Sequence, residues 1–175
     1  MLEIQGILGA VLGAVATLIT TQLIRYIGKI RFYIIQSDLK FLNVYRDSVG
    51  GFVDAPVNNK NEANQVKIDT SIELHNNTEV HKVLRNIRLI FYKSNKPLLE
   101  KRVWDKSTKR FEAHKTTYEN LENLNISPKH IIKIEFKAIL NEEEELKNAS
   151  IADKVYLEMK DHKGRTVRKL LNEMD

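Results

Sequence analysis

The sequence predicts a mostly β chain: a single N-terminal transmembrane helix, then an antiparallel, immunoglobulin-like β-sandwich with one short helix. Three observations predict it. No charged residue occurs from Ile4 to Ile24. Beyond residue 29, short runs alternate apolar and polar residues, the period of a half-buried strand. Turn residues separate those runs, and no repeated helical crossover intervenes. The chain thus divides into residues 1–28, an anchor with its juxtamembrane segment, and residues 29–175, the sandwich. A length of 175 residues suits one domain with an appendage.

The uncharged run is 21 residues long. As a helix it rises about 31 Å, against a hydrocarbon core of about 30 Å. Its polar residues are Gln5 and Gln22 near the ends, and Thr17, Thr20 and Thr21. Thr hydroxyls can bond to carbonyls of their own helix and so tolerate lipid. Ala14-Val15-Ala16 has the form of a signal-cleavage site. Met1-Leu2-Glu3 offers no basic n-region, however, and the apolar run continues past the cut through Leu18, Ile19, Leu23 and Ile24, which favours an uncleaved anchor. Arg25, Lys29 and Arg31 follow the helix, while no Lys or Arg precedes it. The basic flank stays inside, so the N-terminus is expected outside and the C-terminal domain in the cytoplasm. Gly9 and Gly13, flanked by the stripe Gly6, Ala10 and Ala14, permit close helix packing and a homo-oligomer, although small residues are also simply common in membrane helices.

The strands follow in order. Residues 30–35 and 39–45 read as two strands, and Gly50-Gly51 and residues 58–64 as loops. From Val66 to Leu74, Val66, Ile68, Thr70, Ile72 and Leu74 alternate with polar residues, giving one wet and one buried face. His75-Asn76-Asn77-Thr78 reads as a turn. Residues 86–92 put Ile87, Leu89 and Phe91 on one face, and Ser94-Asn95-Lys96-Pro97 ends that strand. Residues 98–104 form a further short strand. Residues 131–140 alternate again, with Ile132, Ile134, Phe136, Ala138 and Leu140 inward. Residues 141–150, with four consecutive Glu, favour a short helix. Residues 155–160 and 166–171 pair across a turn beginning Asp161-His162-Lys163-Gly164, where Gly supplies a positive φ. The Cys pair of an antibody domain is absent, since the chain has no Cys. A small barrel is the alternative closure.

No residues form a catalytic, cofactor or metal constellation. The absence of Cys excludes a disulfide scaffold, a Cys-ligated zinc and a thiol nucleophile. His75, His81, His114, His130 and His162 show no metal-binding spacing, and neither a phosphate-binding Gly loop nor a serine elbow occurs. Glu142 to Glu145 point in successive directions around a helix, so they suggest a solvated face and not a Ca²⁺ site.

Charge is uneven. Residues 82–115 carry Lys82, Arg85, Arg88, Lys93, Lys96, Lys101, Arg102, Lys106, Lys109, Arg110 and Lys115 against Glu100, Asp105 and Glu112. Three readings follow: a solvated sheet face with protective lysines, attraction to anionic headgroups, or nucleic acid. For the second, Arg85, Arg88, Lys109 and Arg110 are the candidate residues. Phe91, Tyr92, Trp104 and Phe111 interleave with the charges as stacking platforms would, but no nucleic-acid-binding motif appears, which disfavours nucleic acid.

These readings converge on a non-enzymatic interaction module at the cytoplasmic face of a bacterial membrane. Its partners are the lipid bilayer and a protein of unspecified identity. The Lys-, Asn- and Ile-rich composition resembles that of low-GC bacteria and their phages, which makes phage superinfection exclusion or defence the sharpest form of the expectation. Two other readings stand beside it: an exported, anchored domain that binds envelope or host components, and an accessory subunit of a membrane enzyme or transporter.

Overall fold

The computed structural model describes residues 2–26, 28–112 and 115–174; within the N-terminal helix, side-chain surroundings are described for Gly9 and residues 11–22. That helix, α1 (Leu2–Tyr26), precedes two packed antiparallel sheets. The first sheet has the order β2 (Phe52–Pro56), β1 (Ile30–Arg46), β3 (Gln65–Asn76), β10 (Ile131–Leu140), β6 (Trp104–Asp105). The second runs β12 (Thr166–Glu173), β11 (Lys154–Lys160), β4 (Lys82–Lys93), β5 (Lys96–Arg102), with β9 (Asn123–Ile126) pairing the other end of β4. A ribbon of β7 (Arg110–Glu112) and β8 (Lys115–Thr117) stands apart, and α2 (Glu143–Ile151) links β10 to β11.

Period-two patterning builds the core. On β3, Val66, Ile68, Thr70, Ile72 and Leu74 are all buried. Ile132, Ile134, Phe136, Ala138 and Leu140 of β10 lie opposite them in reverse order. Leu89 and Phe91 on β4 pair with Leu157 and Val155 on β11 and face the first sheet.

The two strands expected over 30–35 and 39–45 are one strand of 17 residues. Polar Gln36-Ser37-Asp38 reads as a break in sequence. The register instead slips between Ile34 and Gln36, which throws Ile35 outward and turns Ser37 inward. Ser37 then hydrogen-bonds Asn172 Oδ1 at 2.7 Å and contacts Thr70 Oγ1 at 3.3 Å, so the inward hydroxyl is satisfied and the two sheets are tied together.

Three further differences have local causes. β4 starts at Lys82, because a bulge with Asn86 at φ 52° restores Leu84 and Ile87 to the inner face. The segment expected as one strand over 98–104 splits after Arg102, and Trp104-Asp105 crosses to pair with β10 in the other sheet. The acidic helix is not wholly a solvated face. Glu145 is only 13% exposed and pairs with Lys101, while Ala149 and the adjoining Leu146 pack on the core. The hairpin at 161–164 forms as its Gly predicts, with Gly164 at φ 76°.

Among the described residues, no helix is long and apolar enough to cross a membrane. Where described, the large side chains of α1 are exposed: Val11, Leu12, Val15, Leu18 and Ile19 are each between 46% and 64% accessible. Thr17, Thr20 and Thr21 donate to the carbonyls of Gly13, Ala16 and Thr17, each four residues back. Much of the uncharged run, including Gly6 and Ala10, lies outside the residues whose surroundings are described.

Candidate functional site at the helix-proximal end

β1 begins a few residues after α1 ends, so one end of the sandwich lies beside the helix. The register places there the β3–β4 loop, the β9–β10 connection and the β11–β12 turn. Gly28, at φ 129°, packs so closely on this end that a Cβ would sit 3.0 Å from the carbonyl oxygen of Asn77.

Asn76 organises these loops. It is 1% exposed, and its Nδ2 donates toward the carbonyls of Val80, Ile126 and Ser127 at 2.9, 3.1 and 2.9 Å. Its Oδ1 accepts from Thr78 N at 3.1 Å and Thr78 Oγ1 at 2.7 Å. The expected turn at residues 75–78 is thus a buried clasp, because the amide satisfies backbone carbonyls that would otherwise be stranded.

Beside the clasp a cleft of about 390 Å³ opens between the sheets. Its apolar lining is Ile30 and Phe32 of β1, Val83 and Leu84 of β4, and Val167 of β12. Its rim carries Lys29, Lys82, Lys163 and Arg165, with His162 and one acid, Asp161. The Asp161 carboxylate is engaged by the backbone N–H groups of Lys163 and Arg165, at 2.8 and 2.9 Å. Burial pushes its pKa up, but those bonds and the nearby His162 and Arg165 charges outweigh it and hold the carboxyl below its usual range. The acid shapes the turn, and four cations from three chain segments are left around an apolar floor. Among the described residues, none of the four forms an ion pair within 4 Å. At the same end Lys129 pairs with Glu79 at 3.8 Å.

The residues singled out in sequence are placed differently. Arg25 has a side chain outside the described residues, Lys29 lines the cleft, and Arg31 is exposed opposite His75. A Cβ added to Gly9 or Gly13 would meet no atom within 4 Å, so that side of the helix is open. Arg85 is exposed on β4. Arg88 is engaged: its guanidinium bonds Glu158 at 2.8 Å and Glu100 at 2.7 Å, and these two bonds raise its pKa. Arg168 reaches Glu158 from the other side at 2.9 Å and lies 5.0 Å over the Tyr92 ring. Burial pushes Glu158 up, yet Arg88 and Arg168 more than offset it and hold the carboxyl low. Lys109 and Arg110 lie beside and on the separate ribbon, where Arg110 pairs with exposed Glu119. Two of these four basic residues, Arg88 and Arg110, are thus paired with carboxylates, and a glutamate at Arg88 would confront Glu158.

The aromatic residues also disperse. Phe91 is fully buried, Tyr92 lies beneath Arg168, and Phe111 projects from the ribbon. Trp104 and Tyr118 flank Lys137 in a separate cleft with Lys115. Among the described residues, these aromatic rings form no continuous stacking platform. Of the histidines, His75, His81, His130 and His162 occupy the helix-proximal end, and His114 lies outside the described residues. Sequence reasoning did not single out Lys163 and Arg165; the local signal was the dense charge of His162-Lys163-Gly164-Arg165 in a predicted turn.

Two facing antiparallel sheets with a shared aliphatic core and no helical crossovers define an immunoglobulin-like β-sandwich domain. The chain belongs to the YopI Ig-like domain family, whose model matches residues 28–172. It is 36% identical over 170 residues to the SPbeta prophage-derived uncharacterized protein YopI of Bacillus subtilis (strain 168), covering 97% of this chain and 93% of that one. An uncharacterized beta-sandwich protein from Clostridium difficile 630 aligns with a TM-score of 0.35 at 15% identity, covering 82% of this chain and 86% of that one. The X-ray structure of the structural-genomics target SoR45 aligns with a TM-score of 0.32 at 11% identity, covering 83% of each chain.

Proposed function

We propose that this protein is a single-pass membrane protein whose immunoglobulin-like domain is a non-enzymatic interaction module at the cytoplasmic face of a bacterial membrane. The observation that carries the reading is α1. Its described apolar side chains face outward, and its Thr hydroxyls are satisfied within the helix. Exposing so many large aliphatic side chains to water would be costly, at about 25 cal/mol per Å² of apolar surface. Lipid removes that cost, and the sequence extends the uncharged run to 21 residues. The basic flank at Arg25, Lys29 and Arg31 supports a cytoplasmic domain.

The prophage origin of the Bacillus subtilis relative and the Lys-, Asn- and Ile-rich composition support a phage-related role, in superinfection exclusion or defence. A protein partner would meet the end remote from α1. There Val49 is 90% exposed and Phe52 75% exposed, around the β1–β2 turn.

Alkaline carbonate extraction of membranes, intact mass and protease treatment of spheroplasts test the proposal together. The full-length chain should stay in the pellet, keep its N-terminus and resist external protease. Release by carbonate, or a mature N-terminus near Thr17, would overturn the anchor. Digestion from outside would overturn the orientation and favour an exported domain.

A further inference from the structure

We propose that the cleft beside α1 binds the phosphate headgroup of an anionic phospholipid from the bilayer, with the first acyl carbons against its apolar floor. This rests on the anchoring proposed above. Lys29, Lys82, Lys163 and Arg165 come from the β1 entry, the start of β4 and the β11–β12 turn. Residues this far apart in sequence gather here only through the fold. The one acid among the described lining residues, Asp161, has a carboxylate oxygen committed to two backbone N–H groups.

The remaining chemistry matches one ligand class. Lysine and arginine supply charge-assisted hydrogen bonds to phosphate oxygens, and Arg165 can offer two parallel N–H groups. Ile30, Phe32, Val83 and Val167 are each only partly covered and leave apolar surface beneath the cations. A free inorganic anion has no use for that floor, whereas a phospholipid presents phosphate and hydrocarbon together. The volume of about 390 Å³ suits a headgroup with its first methylenes. The cleft also includes Gly28 and Lys29, the residues just after the helix, so it lies at headgroup level if α1 spans. The basic residues after the helix thereby gain a second role beside setting orientation.

The test uses the full-length chain in detergent micelles, titrated with phosphatidylglycerol or phosphatidylcholine and read by native mass spectrometry. The expected result is one preferentially retained phosphatidylglycerol per chain. Replacing Lys163→Ala and Arg165→Ala together should weaken its retention on the order of 30-fold, from about fivefold per cation near an anionic headgroup. Lys96→Ala, at the exposed β4–β5 turn at the opposite end of the sheet, should leave retention unchanged. The double variant removes exposed turn side chains, and its circular dichroism melt should match the wild type. A melt lowered by more than a few degrees would move the test to Lys82→Ala, off the turn. Equal retention of the two lipids, or retention indifferent to the cleft variants, would overturn the proposal. Displacement of the lipid by millimolar inorganic phosphate would overturn it in favour of a free-anion site. The double variant should still pellet after carbonate extraction, so loss of lipid binding stays separate from failure of the anchor.

Discussion

Asn76→Asp is the most exacting test of how the helix-proximal end is built. The substitution keeps size and shape and keeps the oxygen that accepts from Thr78. It replaces an NH₂ donor with an oxygen facing the carbonyl oxygens of Val80, Ile126 and Ser127. The two N–H groups shared among three acceptors give way to the single O–H of a protonated carboxyl, so one donor is lost at a net value of about 1 kcal/mol, and each of the two carbonyls left stranded adds a desolvation cost of about 1–3 kcal/mol. Because the site is 1% exposed, water cannot substitute. The loss should be about 4 kcal/mol, a large share of the roughly 5–15 kcal/mol that holds a domain folded. For a domain of this size that lowers the melting temperature on the order of 10 °C. The introduced carboxyl would be protonated in the fold, with its pKa raised by burial and by the facing carbonyls. Between the ordinary Asp value of about 3.9 and that raised value the native state binds the extra proton, so the deficit should shrink as pH falls through this window. Unfolding of the full-length chain in mild detergent, followed by Trp104 fluorescence at pH 7 and pH 5, measures both quantities. A variant within about 0.5 kcal/mol of wild type, or a deficit indifferent to pH, would refute the clasp; surface changes usually stay within that margin.

Two other predictions concern the second sheet and the helix. Glu158→Gln should cost about 2 kcal/mol at pH 7, since it weakens charge-assisted bonds from two partly exposed arginines, and denaturant midpoints of the two proteins give the value. The folded carboxyl pKa is depressed, so its stabilisation is present above the unfolded value of about 4.3 and fades as pH falls through the lower folded value. The variant should therefore show a flatter acid limb than wild type. Gly9→Ile with Gly13→Ile should abolish signal in a membrane helix-association reporter, because branched side chains bar close backbone approach. Equal signals would reduce the small-residue stripe to composition.

Local alternation made β3 and β10 readable without coordinates. Val66 to Leu74 and Ile132 to Leu140 each show which face is buried, since neighbouring side chains on a strand point to opposite sides whatever lies beyond. The 161–164 turn was readable because Gly164 meets a backbone requirement that is also local. The uncharged run from Ile4 to Ile24 suggests lipid by the same kind of argument, its length against the thickness of a bilayer. Tertiary structure decided the rest. β1 is continuous because Asn172, far away in sequence, satisfies inward Ser37. Asn76 is a clasp and not a solvated turn because Ile126 and Ser127 return to it through the β9–β10 connection. The dense charge of residues 82–115 is partly offset by acids that the fold brings from elsewhere: Glu158 and Glu119 pair with Arg88 and Arg110. The cationic cleft draws instead on Lys29, Lys82, Lys163 and Arg165, a grouping set by strand order and register. Electrostatic effects depend on separation in space, and for residues on different strands the fold alone determines that separation.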